Sequence, residues 1–339
     1  MLPTEQSSPV DYPGPRKVII ATALHPIDEF RDQEERMQGV ETIVDQAASQ
    51  AALMHLCQRL DLIILPEEIL TGDSRAGTPA DRAVKIDGPE LERLREKARE
   101  HQCYIVVPLT LIDSKRSDIF FNSTVLLDRA GATVGVYHKF HPVADRDGKT
   151  LEGGITPGNV FPVFECDFGK LGIQICWDMS YEDGWLELAK KGAEIVALST
   201  ASPQTARPAS YAQRGSYHVV SSTHHHNASV FNPIGRITQQ ITARGVMVVQ
   251  LDLSYVVLHW SPTLNDGRSF KERYGDRMDY IHYPEEGTGM YWSNDDTLPI
   301  NLMVQEMGEV PMQDQVNQSR LREIAIRNAN NPAQYEDYA

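Results

Sequence analysis

The sequence predicts an α/β protein in which a mixed β-sheet carries helices on its outer faces. The first half of the chain supports this class, because apolar runs such as 61–65 and 104–108 alternate with segments of helical spacing. The second half adds short apolar runs separated by turn-forming residues, which indicates hairpins attached to the same sheet. At 339 residues, the chain is long enough to bury one large core or two modest ones.

The individual elements follow from local patterns. The first long helix is predicted because Val40, Val44 and Ala47 fall near one face of it. Turn-forming residues at 128–131 indicate a hairpin, and those at 232–235 a second turn. Predicted helices cover 34–60, 89–100, 184–190 and 314–328. Predicted strands cover 17–23, 61–65, 104–108, 119–127, 133–138, 161–164, 171–175, 194–198, 218–222, 229–232, 236–238 and 246–251.

Three parts of the chain are predicted. Residues 1–16 are polar and proline-rich and are expected to form a flexible N-terminal arm. They lack the apolar segment of a secretory signal, and no later stretch is long and apolar enough to span a membrane, so we expect a cytoplasmic protein. Residues 17–260 are expected to form the main domain. Residues 261–339 are expected to be an irregular C-terminal extension that packs on a partner subunit or moves freely.

Charge and cysteine content exclude several classes of function. The net charge of −15 argues against nucleic acid or an anionic membrane surface as the partner. The four cysteines, at positions 57, 103, 166 and 176, are scattered and include no C-x-x-C pair. This spacing indicates neither a disulfide framework nor a zinc site, and it suits a reducing compartment.

Three predicted strands end in residues that carry reactive groups. Glu67 and Glu68, Lys139 and Cys176 each come directly after such a strand. Catalytic groups of α/β sheets gather beyond the carboxyl ends of strands, so these side chains are expected to converge. Taken singly, each has an ordinary alternative as a solvated loop residue or a buried thiol. Because neighbours in an extended chain alternate, only one of the two glutamates is expected to face a given pocket.

Cys176 is the predicted nucleophile. It stands at a strand-to-helix turn, where exposure and the field of a helix N-terminus are expected to favour the thiolate. A thiolate could attack a carbon bonded to nitrogen while a carboxylate carries the proton to the leaving amine. A fixed cation and the N–H of Trp177 would stabilise the charge that develops on oxygen. The carboxylate would then activate the water that cleaves the thioester.

The segments that carry these groups resemble, in the same order, the motifs of the nitrilase (carbon–nitrogen hydrolase) superfamily. They are LIILPE at 62–67, GVYHKFH at 135–141 and GIQICWD at 172–178. Segments 192–196, 219–222 and 232–237 add to the resemblance, which extends from about residue 16 to residue 260.

This resemblance implies a fold and a set of roles. The fold is a four-layer αββα sandwich of the nitrilase type, with two sheets face to face and helices outside, which associates into homodimers or larger homo-oligomers. Glu67 is implied as the general base, Lys139 as the oxyanion stabiliser and Cys176 as the nucleophile. Glu152 matches a second glutamate that helps to orient the site. The mechanism requires no cofactor and no metal.

The implied activity is hydrolysis of a linear amide or an N-carbamoyl compound through a thioester on Cys176, with release of ammonia. The pair 177–178, Trp-Asp, resembles amidase and carbamoylase members more than nitrilases. Segment 180–183 lacks the proline and the arginine that members often carry there, so substrate specificity is not transferred. A nitrilase acting on R–C≡N and a catalytically inactive binding protein remain alternatives. A papain-like protease fits less well, because its signature does not surround Cys176.

Several residues are candidates for contact with a ligand. The predicted substrate contacts are Trp177, Tyr181 and Ser199, whereas Trp185 could line the pocket or belong to the core. Candidates to pair with a substrate carboxylate are Arg207, Arg214 and Arg236. In the run 224–226 of three histidines, two would share one face of a strand, but no further ligand has a supporting spacing, so no metal site is predicted.

Overall fold

A computed structural model describes residues 14–54, 58–146 and 148–330 of the chain. Most of the predicted N-terminal arm, Cys57 and the end of the C-terminal extension lie outside these residues. The described chain forms two compact units. The larger unit is Lys17–Leu251, and the smaller one contains the chain from Asp252 onward together with the residues that precede Lys17. No described helix is long and apolar enough to cross a membrane.

The larger unit alternates strands and helices in its first half and adds hairpins later, as the sequence predicts. Its strands are β1 (Lys17–Leu24), β2 (Leu62–Ile64), β3 (Tyr104–Ile112), β4 (Phe120–Leu127), β5 (Thr133–His138), β6 (Val163–Cys166), β7 (Gly169–Ile175), β8 (Ile195–Thr200), β9 (His218–Thr223), β10 (Ala228–Phe231), β11 (Ile237–Ile241) and β12 (Gly245–Asp252). Its helices are α1 (Gln33–Met54), α2 (Pro79–Arg82), α3 (Pro89–His101), α4 (Asp183–Lys190) and α5 (Ala206–Gly215).

The strands form one mixed sheet with two halves. Its order is β5-β4-β3-β2-β1-β9-β8-β7-β6, while β12 pairs with β1 and β10 and β11 extend from β9. The two halves are joined where β1 pairs with β9, at Leu24 and Thr223. Elsewhere they face each other. One contact between them is a hydrogen bond of 2.8 Å from the buried hydroxyl of Ser199 on β8 to the carbonyl of Leu65, which follows β2. Within each half, β1–β2–β3 and β7–β8–β9 are parallel, so their carboxyl ends approach one region.

Helices cover both outer faces of this sandwich. Val40 and Val44 of α1 and Leu94 of α3 are buried in one cluster with residues of β1, β2 and β3. On the other half, Leu188 of α4 packs against Gly172 of β7, where a Cβ would lie 2.9 Å from the leucine side chain. The predicted four-layer αββα sandwich is therefore confirmed.

The smaller unit corrects the prediction of an irregular extension. It contains the antiparallel sheet β13–β15–β14 and its own buried core, which includes Phe270, Tyr291 and Met303. Its elements are β13 (Tyr255–His259), α6 (Arg268–Tyr274), β14 (Met278–Tyr283), β15 (Thr288–Ser293), α7 (Ile300–Glu306) and α8 (Met312–Asn330). The unit begins at Asp252 rather than at 261. Its strands are short, only partly buried and interrupted by turns, so no extended apolar pattern marks them in the sequence.

The remaining differences from the predicted elements concern ends and short helices. The helix predicted to reach residue 60 is described to Met54, and residues 58–60 are not helical. The helix α5 is not among the elements predicted from local patterns, because it is short and contains Pro208 and Gly215, although the family resemblance indicates a helix over 211–215. The C-terminal helix predicted at 314–328 is present as α8, which buries none of its side chains.

Candidate active site

Glu67 lies at the carboxyl end of β2, where both halves of the sandwich contribute its partners. Its side chain accepts hydrogen bonds at Oε1 from Nζ of Lys139 (2.9 Å) and Nδ2 of Asn122 (3.0 Å), and at Oε2 from the N–H of Ala201 (2.9 Å). Its carbonyl accepts a bond of 2.7 Å from Nε2 of His224. Glu67 is only 4% exposed, so these bonds replace the water that would otherwise solvate the carboxylate.

Lys139 follows β5 and bridges two carboxylates. Its ammonium donates to Glu67 and, at 2.6 Å, to Oε1 of Glu152, while the residue is 1% exposed. Glu152 also accepts from Nδ2 of Asn122 (3.1 Å) and from the N–H of Val143 (3.0 Å). An ammonium has three N–H groups, so one remains for a bound ligand.

Cys176 begins a short 3₁₀ turn, Cys176–Ser180, directly after β7. Its φ of +43° lies in the left-handed region, which side chains other than glycine occupy rarely and often at functional sites. The thiol interacts with Glu67, Lys139 and Thr200. The structure therefore brings Glu67, Lys139 and Cys176 together, with Glu152 on the far side of the lysine.

The protonation state of Cys176 differs from the prediction. Burial and the negative charge of Glu67 raise the pKa of the thiol to about 12, and the opposing effect of Lys139 is smaller. A five-residue 3₁₀ turn also replaces the predicted helix start, so no helix field offsets the burial. A raised pKa favours the neutral thiol, so Cys176 would have to lose its proton in order to act as a nucleophile.

The other two groups of this cluster remain charged. Burial alone would raise the pKa of Glu67, but the adjacent Lys139 ammonium outweighs it and lowers that pKa. Burial alone would lower the pKa of Lys139, but Glu67, Cys176 and Glu152 hold that pKa well above its ordinary value. At neutral pH the site thus contains a proton acceptor beside the thiol and a permanent cation.

Asp178 links the turn that carries Cys176 to the strand that carries Lys139. Its buried carboxylate accepts bonds from the hydroxyl of Tyr137 (2.7 Å) and the N–H of His141 (2.9 Å), which flank the lysine. It also accepts from the N–H of Ile175 (3.0 Å), directly before the cysteine. Burial raises the pKa of Asp178, and these three donors act against that rise. The aspartate therefore ties the turn that begins at Cys176 to the backbone on either side of Lys139.

A comparison with known families identifies the larger unit. The sequence model of the family described as carbon-nitrogen hydrolase matches residues 20–258. The chain belongs to the carbon-nitrogen hydrolase family. The resemblance carried by the three motifs is thereby confirmed.

The relatives of this carbon-nitrogen hydrolase family member differ in name. A probable nitrilase of Schizosaccharomyces pombe is 30% identical over 141 residues, which are 41% of this chain and 50% of that protein. A citrullinase of Francisella tularensis is 29% identical over 174 residues, 51% of this chain and 58% of that protein. An N-carbamoylputrescine amidase of Arabidopsis thaliana is 30% identical over 114 residues, 33% and 37% respectively. The chain thus matches roughly half the length of these relatives.

Solved structures support the same fold. The C. elegans NitFhit protein aligns with a TM-score of 0.61 and 20% identity, over 71% of this chain and 62% of that one. Saccharomyces cerevisiae Nit3, a member of the nitrilase superfamily, aligns with a TM-score of 0.58 and 17% identity, over 77% and 95%. At these identities the likeness shows the fold alone.

Several residues of the carbon-nitrogen hydrolase site were not predicted from the sequence. Asn122 bridges the two carboxylates, His224 holds the backbone of Glu67, and Thr200 interacts with the thiol. Each lies on or directly after a strand whose apolar pattern was recognised, but nothing local separates these polar residues from ordinary strand residues. Their contacts join positions far apart in the chain, and only the fold reveals them.

The predicted substrate contacts have different surroundings. Trp177 is 38% exposed, and the half-exposed ring of Tyr181 stacks on His141 with centroids 3.8 Å apart. Ser199 is fully buried and its hydroxyl is bound to the carbonyl of Leu65, so it joins two strands instead of facing a ligand. Trp185 is fully buried and belongs to the core.

The arginine candidates for pairing with a substrate carboxylate have different partners in the structure. Arg214 forms an ion pair of 2.9 Å with Glu182, whereas Arg207 donates to the hydroxyl of Ser180 at 2.7 Å. The third candidate, Arg236, directly precedes β11, and its backbone N–H donates to Oδ1 of Asn232 at 3.0 Å. Among the described residues, the cluster with spacing for a metal ion is Asp45, Glu100 and His101, and the histidines at 224–226 are not part of it.

Glu68 belongs to a second ionic cluster. It adopts a left-handed φ of +52° and pairs with Nη1 of Arg82 at 2.5 Å. The hydroxyl of Thr110 donates to the same carboxylate at 3.0 Å, and Arg82 also donates to the carbonyl of Gly72 at 2.6 Å. The two adjacent glutamates thus have separate partners, in accord with the expectation that they face different surroundings.

Proposed function

We propose that this protein hydrolyses a linear amide or an N-carbamoyl compound through a thioester on Cys176 and releases ammonia. The observation that carries this proposal is the cluster in which Lys139 joins Glu67 and Glu152 beside the left-handed Cys176. A buried cation, a buried proton acceptor and a thiol in one cluster are the parts that acyl transfer from nitrogen to sulfur requires.

The first step forms the thioester. The sulfur of Cys176 attacks the carbonyl carbon, the C=O electron pair moves to oxygen, and the thiol proton passes to Glu67. Because the pKa of the thiol is raised and that of Glu67 is lowered, proton transfer is favourable only as the C–S bond forms. The C–N bond then breaks, and the proton on Glu67 passes to the departing nitrogen.

Two donors are suited to the oxyanion. Lys139 retains one N–H beyond its two carboxylate bonds. Trp177 is the second residue of the 3₁₀ turn, and the first N–H groups of such a turn have no acceptor within it. Both would strengthen their bonds as charge moves onto the substrate oxygen, which lowers the barrier.

The second step hydrolyses the thioester. Glu67 removes a proton from water, the hydroxide attacks the acyl carbon, and the C–S bond breaks. The sulfur regains its proton from Glu67. The acyl group leaves as the product acid, and the free thiol and the Glu67 carboxylate are restored. No step requires a metal or a cofactor, because Lys139 supplies the positive charge and Glu67 the proton transfer.

The choice between substrate classes rests on the relatives and on one motif. The names citrullinase and N-carbamoylputrescine amidase favour a carbamoyl or amide group, as does the Trp177–Asp178 pair. The alternative is hydrolysis of a nitrile, which the name of the Schizosaccharomyces pombe relative favours. Assays of ammonia and of the organic product, with panels of amides, ureido acids and nitriles, separate the two classes.

The variant Cys176→Ala tests the mechanism itself. We expect it to abolish turnover and thioester capture while circular dichroism and unfolding remain close to wild type. Cys166→Ala is the matched control, since Cys166 is a partly buried free thiol outside the cluster. Full activity of Cys176→Ala would refute the proposed mechanism, whereas a wild type without turnover on any of these substrates would favour a catalytically inactive binding protein.

We also propose a homodimer or larger homo-oligomer in the cytoplasm. The helix α8 buries none of its side chains in one chain, although isolated helices of this length are marginal in water. Leu321 and Ile324, 68% and 45% exposed, lie one turn apart on it and would be covered by a second copy. Free thiols at Cys103, Cys166 and Cys176 suit a reducing compartment. Sedimentation of the full chain and of a chain ending before α8 tests the assembly.

A further inference from the structure

A cavity of ≈ 440 Å³ in the larger unit lies against the turn that follows Glu67. Four arginines line it, namely Arg31, Arg36, Arg75 and Arg82. Arg31 and Arg75 are largely exposed, and both form ion pairs with neighbouring acids. Glu67, Lys139 and Cys176 do not line this cavity, so it is separate from the catalytic cluster.

Arg36 is the unusual member of this set. It is only 6% exposed, its Nη1 donates to the carbonyl of Ile69 at 3.2 Å, and its guanidinium lies over the ring of Phe30 at 5.0 Å. No carboxylate lies within 4.0 Å of it among the described residues. The other edge of the guanidinium, formed by Nε and Nη2, has no hydrogen-bond partner in the described part of the chain.

Other arginines of the same unit show what this edge binds. Arg93 donates from Nε and Nη2 to the two oxygens of Glu41, each at 2.7 Å. Arg129 holds Asp167 through the same two nitrogens, at 2.7 and 2.9 Å. This two-pronged geometry matches a carboxylate, because the two parallel N–H groups meet its two oxygens. In Arg36 the same edge is unoccupied by protein.

A buried guanidinium without a carboxylate is costly, because its charge loses hydration and gains no full partner. Burial lowers the pKa of Arg36, and the acids nearby, Asp73 and Glu68, only partly oppose this effect. Nη2 of Arg36 also lies so close to Gly72 that a Cβ there would be 3.0 Å away. The glycine thus leaves the space that the guanidinium occupies beside the cavity.

The acids that line the cavity do not fill this role. Asp32 accepts from the N–H of Glu35 at 2.8 Å, and Asp81 accepts from the hydroxyl and the N–H of Thr78 at 2.6 and 2.9 Å. Neither these acids nor Glu90, which also lines the cavity, forms an ion pair with Arg36 in the described chain. Arg36 therefore lines a cavity in which no described protein carboxylate pairs with its Nε–Nη2 edge.

We propose that this cavity binds a carboxylate-bearing small molecule through the Nε–Nη2 edge of Arg36. The carboxylate belongs either to a distal part of the substrate or to a separate ligand. Both sources share the chemistry of two oxygens on one guanidinium edge, and kinetics distinguishes them.

The test uses the full chain with sodium acetate as the probe and sodium chloride at equal ionic strength as the reference. Acetate is expected to raise the melting temperature of the wild type relative to chloride. Arg36→Lys keeps the charge but loses the two-pronged edge, and Arg36→Met keeps the aliphatic stem alone. We expect both to weaken acetate binding about tenfold or more. Arg31→Gln, at the exposed rim of the same cavity, is the matched control and should retain binding.

A second measurement needs no variant and covers the case in which substitution of Arg36 prevents folding. Wild-type protein is modified with phenylglyoxal in acetate or in chloride, and the modified arginines are identified by mass spectrometry. Acetate is expected to slow the modification of Arg36 and not that of the exposed Arg116. Equal melting temperatures and equal modification of Arg36 in the two salts would overturn the proposal.

Kinetics then assigns the source of the carboxylate. An increase in KM at constant kcat with acetate assigns the site to a carboxylate of the substrate itself. Acetate binding without any change in KM assigns it to a separate ligand. Both results support the site, and the binding measurements do not depend on turnover. A failure of the proposed hydrolysis would therefore leave this test intact.

Discussion

The proposed catalytic cluster around Glu67 and the structural cluster around Glu68 begin at two adjacent residues of the same type. Glu67 has four donors at its carboxylate and backbone, from elements of both halves of the sandwich. Glu68 is buried and pairs with Arg82 and Thr110. The pKa of Glu67 is lowered by its lysine, whereas burial raises the pKa of Glu68 to about 7 in spite of its arginine.

This difference shows that all the charges and donors around a buried carboxyl together decide whether it is ionised. A salt bridge alone does not ensure ionisation, because the pKa of Glu68 is raised although Glu68 pairs with Arg82. Lys139 lowers the pKa of Glu67 through both Coulomb attraction and a hydrogen bond, and His224 and Cys176 lower it further. At Glu68, burial is the largest effect, and the negative charges of Glu67 and Glu152 add to it. One glutamate is thus prepared to accept a proton from a thiol, and its neighbour tends to keep its own.

The largest expected effect is that of Glu67→Gln. This variant keeps the shape of the side chain but removes the proton acceptor, so we expect kcat to fall by about 10²–10⁴-fold. Steady-state kinetics measures the loss, and Glu165→Gln is the control, because Glu165 is 74% exposed and pairs only with Lys170. A variant with near wild-type kcat would remove Glu67 from the mechanism and erase the contrast between the two clusters.

A smaller effect is expected from Glu68→Gln, in the dependence of stability on pH. A carboxyl whose pKa rises from 4.5 to about 7 on folding contributes stability below pH 4.5 that is lost as the pH approaches 7. The wild type should therefore lose about 3 kcal/mol of unfolding free energy relative to Glu68→Gln between these two pH values.

Urea unfolding at a series of pH values measures this difference. Above pH 7 the gap between the two proteins should stay constant, because Glu68 is then ionised in both the folded and the unfolded wild type. Glu165→Gln again serves as the control and should follow the wild type at every pH. A constant gap from pH 4.5 upward would mean that Glu68 is ionised throughout, as Glu67 is.

The variant Glu152→Gln tests whether Lys139 needs both of its carboxylates. It removes one charge but leaves the bond of Lys139 to Glu67, so the lysine stays protonated but is held less firmly. We expect kcat to fall by about tenfold to a hundredfold, as for a displaced catalytic group. Asp118→Asn, which alters an exposed pair with Arg116, is the control. A loss as large as that of Glu67→Gln would assign Glu152 a direct part in proton transfer.

The sequence predicts the catalytic cluster better than the structural one, for a physical reason. Glu67, Lys139 and Cys176 end recognisable strands, and the carboxyl ends of strands meet by topology. The partners of Glu68 lie on α2 and inside β3, where no local pattern distinguishes an arginine or a threonine that is buried. The raised pKa of Cys176 runs against the predicted thiolate for the same reason, since burial and the charge of Glu67 cannot be inferred from a local pattern.

The two units of the fold also differ in how well the sequence predicts them. The larger unit was predicted nearly strand by strand, because parallel strands buried on both faces form continuous apolar runs. The three-stranded sheet of the smaller unit was missed, because β13 is only five residues long and β14 mixes half-buried aromatic and polar residues. Ser199 illustrates the limit at a single residue: it was predicted to contact the substrate, and its hydroxyl instead joins the two halves.

The smallest expected effect is that of Thr110→Val, which tests how the structural cluster tunes Glu68. The hydroxyl of Thr110 donates to Oε1 of Glu68 at 3.0 Å, and its loss should cost about 1–2 kcal/mol of unfolding free energy. Without this donor the carboxylate form is less favoured, so the pH step in stability should move above pH 7. Thr124→Val is the matched control, because the buried hydroxyl of Thr124 has no hydrogen-bond partner in the described chain. Equal pH steps in both variants would show that Arg82 and burial alone set the pKa of Glu68.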